Sequence, residues 1–185
     1  MSKQLYQEIE KKQAQEDFFI EINTDACWWA SLSSEHILEL AFLLSQNALP
    51  VWEKYDFFGK IENQLHSVRL LPARALKGIG DILIRKRESA DDKHLNNFFT
   101  SFVTPVIQFR DGDLNLPYEV KSAFLSVFDI LKGMLSVRNP FLAVRCFSSS
   151  ITRSMDAIVI SNLLTNKEIS MLTQKYLLLT VKGLP

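Results

Sequence analysis

The chain has 185 residues, of which 47% are apolar and 13 are phenylalanine. This size and composition suffice for one domain with a real core and exclude an intrinsically disordered protein. Basic and acidic residues balance to a formal net charge of zero, which argues against a nucleic-acid or membrane-surface partner attracted by net charge. No run reaches the roughly 20 apolar residues needed to span a bilayer.

The N-terminus and the cysteines indicate the compartment. Residues 1–13 mix charged and polar side chains, whereas a secretory signal peptide carries an apolar stretch. Cys27 and Cys146 lie far apart in apolar surroundings, as reduced, buried thiols do. We therefore expect a cytoplasmic protein.

The stretch 33–55 predicts a central helix. Residues 37–44 are almost all apolar, and only a narrow strip through Glu35, Glu39 and Gln46 is polar. A helix that is apolar on nearly all sides must be enclosed by other elements. The other segments are therefore expected to pack around it.

The ends of this central helix carry recognisable sequence features. Ser33 or Ser34 is expected to cap its N-terminus. Pro50 predicts either a kinked continuation or a second short helix, because proline cannot donate to the preceding turn. Gly59 is expected to end the helical segment.

Further helices are predicted on both sides of the central one. Pro117 and the pair Asn139-Pro140 read as helix starts, Pro105 should kink its helix, and Gly78 with Gly80 should allow a neighbour to approach closely. A capping box at 165–168 would begin the last helix, although its end, 176–181, could instead be a strand. The predicted segments are 3–16, 60–71, 72–87, 95–109, 117–135, 139–164 and a last helix from 165.

These elements indicate an all-α protein with about seven to nine helices. The arrangement is expected to be an orthogonal bundle or a short HEAT-like stack of helical hairpins. We predict a single domain over residues 1–185, with the polar segment 88–93 as an exposed connection or subdomain boundary.

The sequence contains no pattern that specifies a reaction. Glu62 and His66 share a predicted helix face, but the second histidine of a zinc-protease helix is absent. Neither cysteine has a nearby histidine to activate it, and no glycine-rich phosphate loop occurs. We therefore predict no catalytic residue, no metal site and no cofactor.

A basic helix face is the strongest indication of nucleic-acid binding. It comprises Arg69, Arg74, Lys77 and residues 85–87, but Asp81 and Glu88 dilute it. Since the whole chain is also neutral, we do not expect nucleic acid as a partner, and no membrane partner is expected either.

Charge is unevenly distributed, and the acidic part contains all three tryptophans. Residues 16–62 hold nine acids and two bases, a balance of −7. Aromatic anchors among charges are typical of protein-binding surfaces, although core packing and ordinary solvated faces would explain the same pattern. The candidate partner-binding residues, called here the acidic tryptophan surface, are Glu21, Asp25, Trp28, Trp29, Glu35, Glu39, Trp52 and Glu53.

Residues 36–55 resemble a motif of helical immunity proteins from bacterial polymorphic-toxin and contact-dependent inhibition systems. In that motif a helix of small and apolar residues leads into a Leu-Pro-x-aromatic-Glu step, here residues 49–53. The resemblance implies a cytosolic bacterial protein that binds and blocks a cognate toxin domain, often a basic nuclease. Such inhibitors commonly present acids to the toxin.

The leading hypothesis is therefore a non-enzymatic inhibitor that uses the acidic tryptophan surface. The alternative is a helical ligand-binding or scaffold domain with a phenylalanine-lined pocket. A third hypothesis, an unrecognised hydrolase or nuclease, would require His66 or His94 to meet carboxylates in a cleft. The pocket of the alternative would be lined by Phe98, Phe99, Phe102, Phe109, Phe124 and Phe128.

Overall fold

The computed structural model describes residues 32–55, 68–85, 92–111, 116–164 and 168. Within these residues the secondary structure is helical and contains no strand, which confirms the all-α prediction. Five helices occur there, fewer than the seven to nine predicted for the whole chain. Three predicted helices lie wholly or mostly outside the described residues. They are 3–16, 60–71 and the helix from 165 with its tail 176–181. The five helices are α1 (Ser34–Glu53), α2 (Leu71–Arg85), α3 (Asp92–Asp111), α4 (Tyr118–Leu135) and α5 (Pro140–Ile160).

Helix α1 is capped at its N-terminus by Ser33, as predicted. The Ser33 hydroxyl accepts a hydrogen bond from the backbone N–H of His36 and lies 3.0 Å from His36 Nδ1. The helix runs through Pro50 without a break and ends at Glu53, so it is a continuous helix and stops before Gly59. Proline cannot donate a hydrogen bond to the carbonyl of Gln46, and Gln46 is exposed, so water can reach this side of the helix.

Helices α4 and α5 form a hairpin joined by the four residues 136–139. Pro117 precedes α4, as its position in the sequence predicted. At the start of α5 the Asn139 side chain accepts a hydrogen bond from the backbone N–H of Leu142, and Pro140 fills the first turn. Both predicted helix starts are confirmed, whereas α5 ends at Ile160, four residues earlier than predicted.

Helix α1 shares the centre of the structure with α4. Its side chains Ile37, Leu40 and Leu44 are buried, and it packs against α2, α4 and α5. Helix α4 packs against each of the other four helices. Helices α1 and α5 are separated in sequence by three other helices and still pack against each other, whereas contacts in a repeat stack are confined to neighbouring helices.

Glycines allow helix α2 to lie close to both α1 and α3. A Cβ atom on Gly80 would be 3.0 Å from the Phe42 ring, and one on Gly78 would be 3.0 Å from the Phe98 ring. The close approach predicted at these two glycines is confirmed. The helices before and after 88–93 share one cluster of buried apolar side chains.

None of the described helices combines the length and the hydropathy that a membrane crossing needs.

Candidate functional site

The outer side of α1 carries the described part of the acidic tryptophan surface. Glu35 is exposed in the first helical turn and Glu39 lies one turn later, half-buried. Residues four apart share a helix face, so the structure brings these two carboxylates together. Glu53 is exposed at the other end of α1, about 21 Å from Glu39 along the helix axis at 1.5 Å per residue.

Trp52 occupies a different place from the one expected of a partner-binding anchor. Its side chain is fully buried, its ring centroid lies 4.8 Å from that of Phe124, and the Phe109 ring packs edge-on at 6.4 Å. Its indole N–H donates to the backbone carbonyl of Arg69. A side chain with no exposed surface cannot contact a partner in this conformation, so Trp52 belongs to the core.

The remaining members of the acidic tryptophan surface, Glu21, Asp25, Trp28 and Trp29, lie outside the described residues. Their predicted role stays a prediction.

Five of the six phenylalanines of the alternative hypothesis, all except Phe98, pack on one another. The ring centroids of Phe102 and Phe124 are 4.6 Å apart, those of Phe99 and Phe128 5.2 Å, and those of Phe109 and Phe124 5.0 Å. Phe102 and Phe124 are fully buried. At such distances the rings are in contact, so these five rings pack on one another between α3 and α4, while the Phe98 ring lies against Gly78 of α2.

Four buried serines meet where α1, α4 and α5 cross. The Ser45 hydroxyl lies 3.1 Å from Ser126, 3.2 Å from Ser150 and 3.0 Å from Ser154, measured between Oγ atoms. Ser126 donates its own proton to the carbonyl of Ala123. All four serines have no exposed surface. We call this group the serine cluster.

The direction of each hydrogen bond in the serine cluster follows from proton counting. A hydroxyl has one proton to donate and two lone pairs that accept. Since Ser126 donates to a carbonyl, Ser45 donates to Ser126, and Ser150 and Ser154 both donate to Ser45. The partners in this network are hydroxyls and one carbonyl, which cannot take a proton from an attacking serine. The serine cluster is therefore structural.

Sequence reasoning did not identify the serine cluster. The available signal was the position of Ser150 and Ser154, one helical turn apart beside the apolar Phe147 and Ile151. Polar residues on an apolar helix face point to a buried hydrogen-bond network, but α1 and α4 had to be placed before the partners could be named.

Two polar contacts link α4 to α5. Asp129 accepts a 2.9 Å hydrogen bond from Arg153, and the hydroxyl of Tyr118 donates to Asp156 at 2.8 Å. The Asp129 side chain is only 14% exposed. Burial raises its pKa, and this outweighs the opposing effect of Arg153.

Cys146 is a free thiol on the inner side of α5, as expected. Burial raises the pKa of this thiol, which reduces the thiolate fraction and hence its reactivity. Cys27 lies outside the described residues.

Histidines and carboxylates do not assemble a metal site in the part of the chain that the structure describes. His36 belongs to the cap of α1, and the His94 ring lies edge-on to Phe98. On the basic face, Arg74 and Lys77 are exposed on α2, while Arg69 donates to the backbone carbonyl of Glu53.

Comparisons with protein-family models, with curated proteins and with solved structures found no match to this chain.

Proposed function

We propose that this chain is a non-enzymatic helical protein that binds and neutralises a cognate toxin domain. The resemblance of residues 36–55 to immunity proteins suggests this class. The structural observation that supports it most directly is the pair Glu35 and Glu39, which lies on the outer side of a helix whose inner side is buried.

The setting of α1 suits a preorganised binding surface. In the sequence, the buried Ile37 lies between the two glutamates, and the buried Leu40 and Ala41 follow Glu39 directly. The core therefore holds the backbone that carries both charges. Rigid presentation lowers the entropic cost of association. A basic partner could interact with both carboxylates at once, since they lie on one helix face.

Electrostatic attraction would act mainly on the rate of association. Complementary charges raise the association rate constant, whereas buried contacts slow dissociation. A basic nuclease domain would meet carboxylates in place of phosphates. The proposed surface also includes Glu21, Asp25, Trp28, Trp29 and Glu53. Trp52, which is buried, contributes by holding α1 in the core.

Charge reversal tests the proposal. Where a toxin domain is encoded beside this chain, the parent and the Glu35→Lys/Glu39→Lys variant would be compared for binding to that domain by surface plasmon resonance and for survival on co-expression. We expect the association rate constant to fall at least about tenfold at low salt and protection to be lost. Asp81→Lys, at an exposed site on α2, is the matched control for the single Glu35→Lys variant, because both change the net charge equally.

Undiminished binding and protection by the α1 variant would contradict the choice of this surface. A titration separates an inhibitor from an enzyme: an inhibitor neutralises the toxin domain at one chain per toxin, whereas an enzyme acting on the toxin would neutralise many. Neutralisation at substoichiometric amounts would overturn the non-enzymatic proposal.

A further inference from the structure

The turn between α4 and α5 presents two apolar side chains to solvent. Val137 is 67% exposed and Phe141 is 80% exposed, more than the other large apolar side chains of the described residues. A single exposed apolar residue is ordinary. These two lie four residues apart at the tip of one hairpin, and their surroundings distinguish them.

The sequence on both sides of the two apolar side chains is basic. Residues 130–155 contain no aspartate or glutamate and four bases, of which Arg153 is paired with Asp129. The other three, Lys132, Arg138 and Arg145, are exposed. We call the group Lys132, Val137, Arg138, Phe141 and Arg145 the hairpin-tip surface.

Geometry places these charges close to the apolar pair. Arg145 follows Phe141 by one helical turn and shares its face of α5. Lys132 lies in the last turn of α4, and its backbone carbonyl accepts a hydrogen bond from Ser136, the first residue of the turn. The hairpin-tip surface therefore combines an apolar centre with a cationic rim.

The tip is also held in shape by local hydrogen bonds. The Ser136 hydroxyl donates to the carbonyl of Lys132 at 2.7 Å, and the Asn139 backbone N–H donates to the carbonyl of Ser136 at 2.8 Å. The Asn139 side chain caps α5. Because the turn is already ordered, its exposed apolar groups lose little conformational entropy on binding, which favours association.

We propose that the hairpin-tip surface docks on an anionic lipid surface. Phe141 and Val137 enter the headgroup region, and Lys132, Arg138 and Arg145 contact lipid phosphates. An aromatic and an aliphatic side chain at a projecting turn suit a deformable, partly apolar surface. Single-stranded nucleic acid is a poorer fit, because Val137 has no ring on which a base could stack.

The neutral charge of the whole chain does not oppose this contact. Attraction to anionic lipid decays within a Debye length, about 8 Å at physiological salt, so only the charges nearest the bilayer count. The expectation that no membrane is a partner rested on total charge and on the absence of a spanning run. Two apolar side chains and three cations predict weak, reversible and salt-dependent binding. This inference is independent of the proposed toxin partner.

Vesicle sedimentation of the full chain tests the proposal. Phosphatidylcholine vesicles with and without about one-third phosphatidylglycerol would be compared at low and physiological salt. We expect binding to the anionic vesicles only. Phe141→Ser should weaken it about tenfold, and Arg138→Gln/Arg145→Gln should weaken it about 25-fold, near fivefold for each arginine.

Matched controls are available in the same chain. Ile160→Ser removes an exposed apolar side chain at the far end of α5, and Arg74→Gln/Lys77→Gln removes two exposed cations from α2; both should bind as the parent does. Phe141→Trp should bind more tightly, because tryptophan favours the bilayer interface, and it tests the site even if Phe141→Ser impairs folding.

Three outcomes would overturn the proposal. They are absence of sedimentation at low salt, equal losses in the control and hairpin-tip variants, and hairpin-tip-dependent binding of an oligo-dT strand without binding to vesicles.

Discussion

The indole N–H of Trp52 donates a 2.9 Å hydrogen bond to the backbone carbonyl of Arg69. Arg69 in turn donates from its guanidinium group to the backbone carbonyl of Glu53 at 3.0 Å. Two hydrogen bonds thus fasten the C-terminal end of α1 to the residues just before α2. The first bond involves a fully buried side chain and the second an exposed one, so the two should contribute differently to the free energy of unfolding.

We expect Trp52→Phe to lower the free energy of unfolding by about 2–3 kcal/mol. The change leaves the Arg69 carbonyl without its indole donor and removes part of a buried ring. Arg69→Ala, the matched control for the exposed bond, should cost less than about 1 kcal/mol. Urea denaturation followed by circular dichroism measures both, and a larger loss for Arg69→Ala would contradict this ranking.

The serine cluster predicts non-additive substitutions. Ser45→Ala removes the hydroxyl that accepts from Ser150 and Ser154, so we expect a loss of about 1–3 kcal/mol. Ser154→Ala removes one donor and should cost less. Replacing all four serines by alanine leaves no stranded hydroxyl, and its cost should fall well below the sum of the four single losses. Additive losses in urea denaturation would show that the hydroxyls act independently.

Gly133 should not tolerate a methyl group. A Cβ atom there would overlap the Phe147 ring, so Gly133→Ala should destabilise by about 1–3 kcal/mol despite the better helix propensity of alanine. Gly78→Ala is the control, because its neighbour is the outer edge of the half-buried Phe98 ring. Thermal unfolding should show a smaller change there. Adding Phe147→Leu to Gly133→Ala should restore part of the loss.

Asp129 predicts a pH dependence of stability. Its pKa is raised above the ordinary 3.8 by burial, so the folded protein keeps this proton where the unfolded chain has lost it. The resulting stabilisation is complete below 3.8 and disappears as the pH rises through the folded pKa. The stability of the parent relative to Asp129→Asn should therefore fall as pH rises above about 4.

Asp111 provides the opposite case on the surface. Arg110 lowers the pKa of Asp111, so the stability of the parent relative to Asp111→Asn should fall as pH decreases below about 4. Urea denaturation of both variants across about pH 3 to 7 gives the two slopes. Slopes of the same sign would contradict the assignment at Asp129.

Local features of the fold could be read from the sequence because their causes are local. Ser33, Asn139 and Pro117 mark helix starts through groups within a few residues of each helix. The narrow polar strip of α1 was also evident, since periodicity alone assigns its faces.

Long-range features could not be derived in this way. Trp52 lies among charged residues in the sequence and yet is buried, because Phe109 and Phe124 come from α3 and α4 to enclose it. The central position of α4 likewise depends on how five helices are arranged in space. The hairpin-tip surface could not be derived either: residues 130–155 have four bases and no acid, but only the structure shows that Val137 and Phe141 are exposed among them.

The serine cluster joins residues that the ribosome adds at widely separated times, which delays the completion of the fold during synthesis. Ser45 bonds to residues 81, 105 and 109 positions later in the chain. At about 5–20 residues per second, the ribosome adds Ser154 roughly 5–20 seconds after Ser45. Throughout that interval the apolar sides of α1 lack the surfaces of α5 that cover them. The nascent chain should therefore be a client of chaperones that hold exposed apolar helices, until the last described helix emerges and the bundle can close.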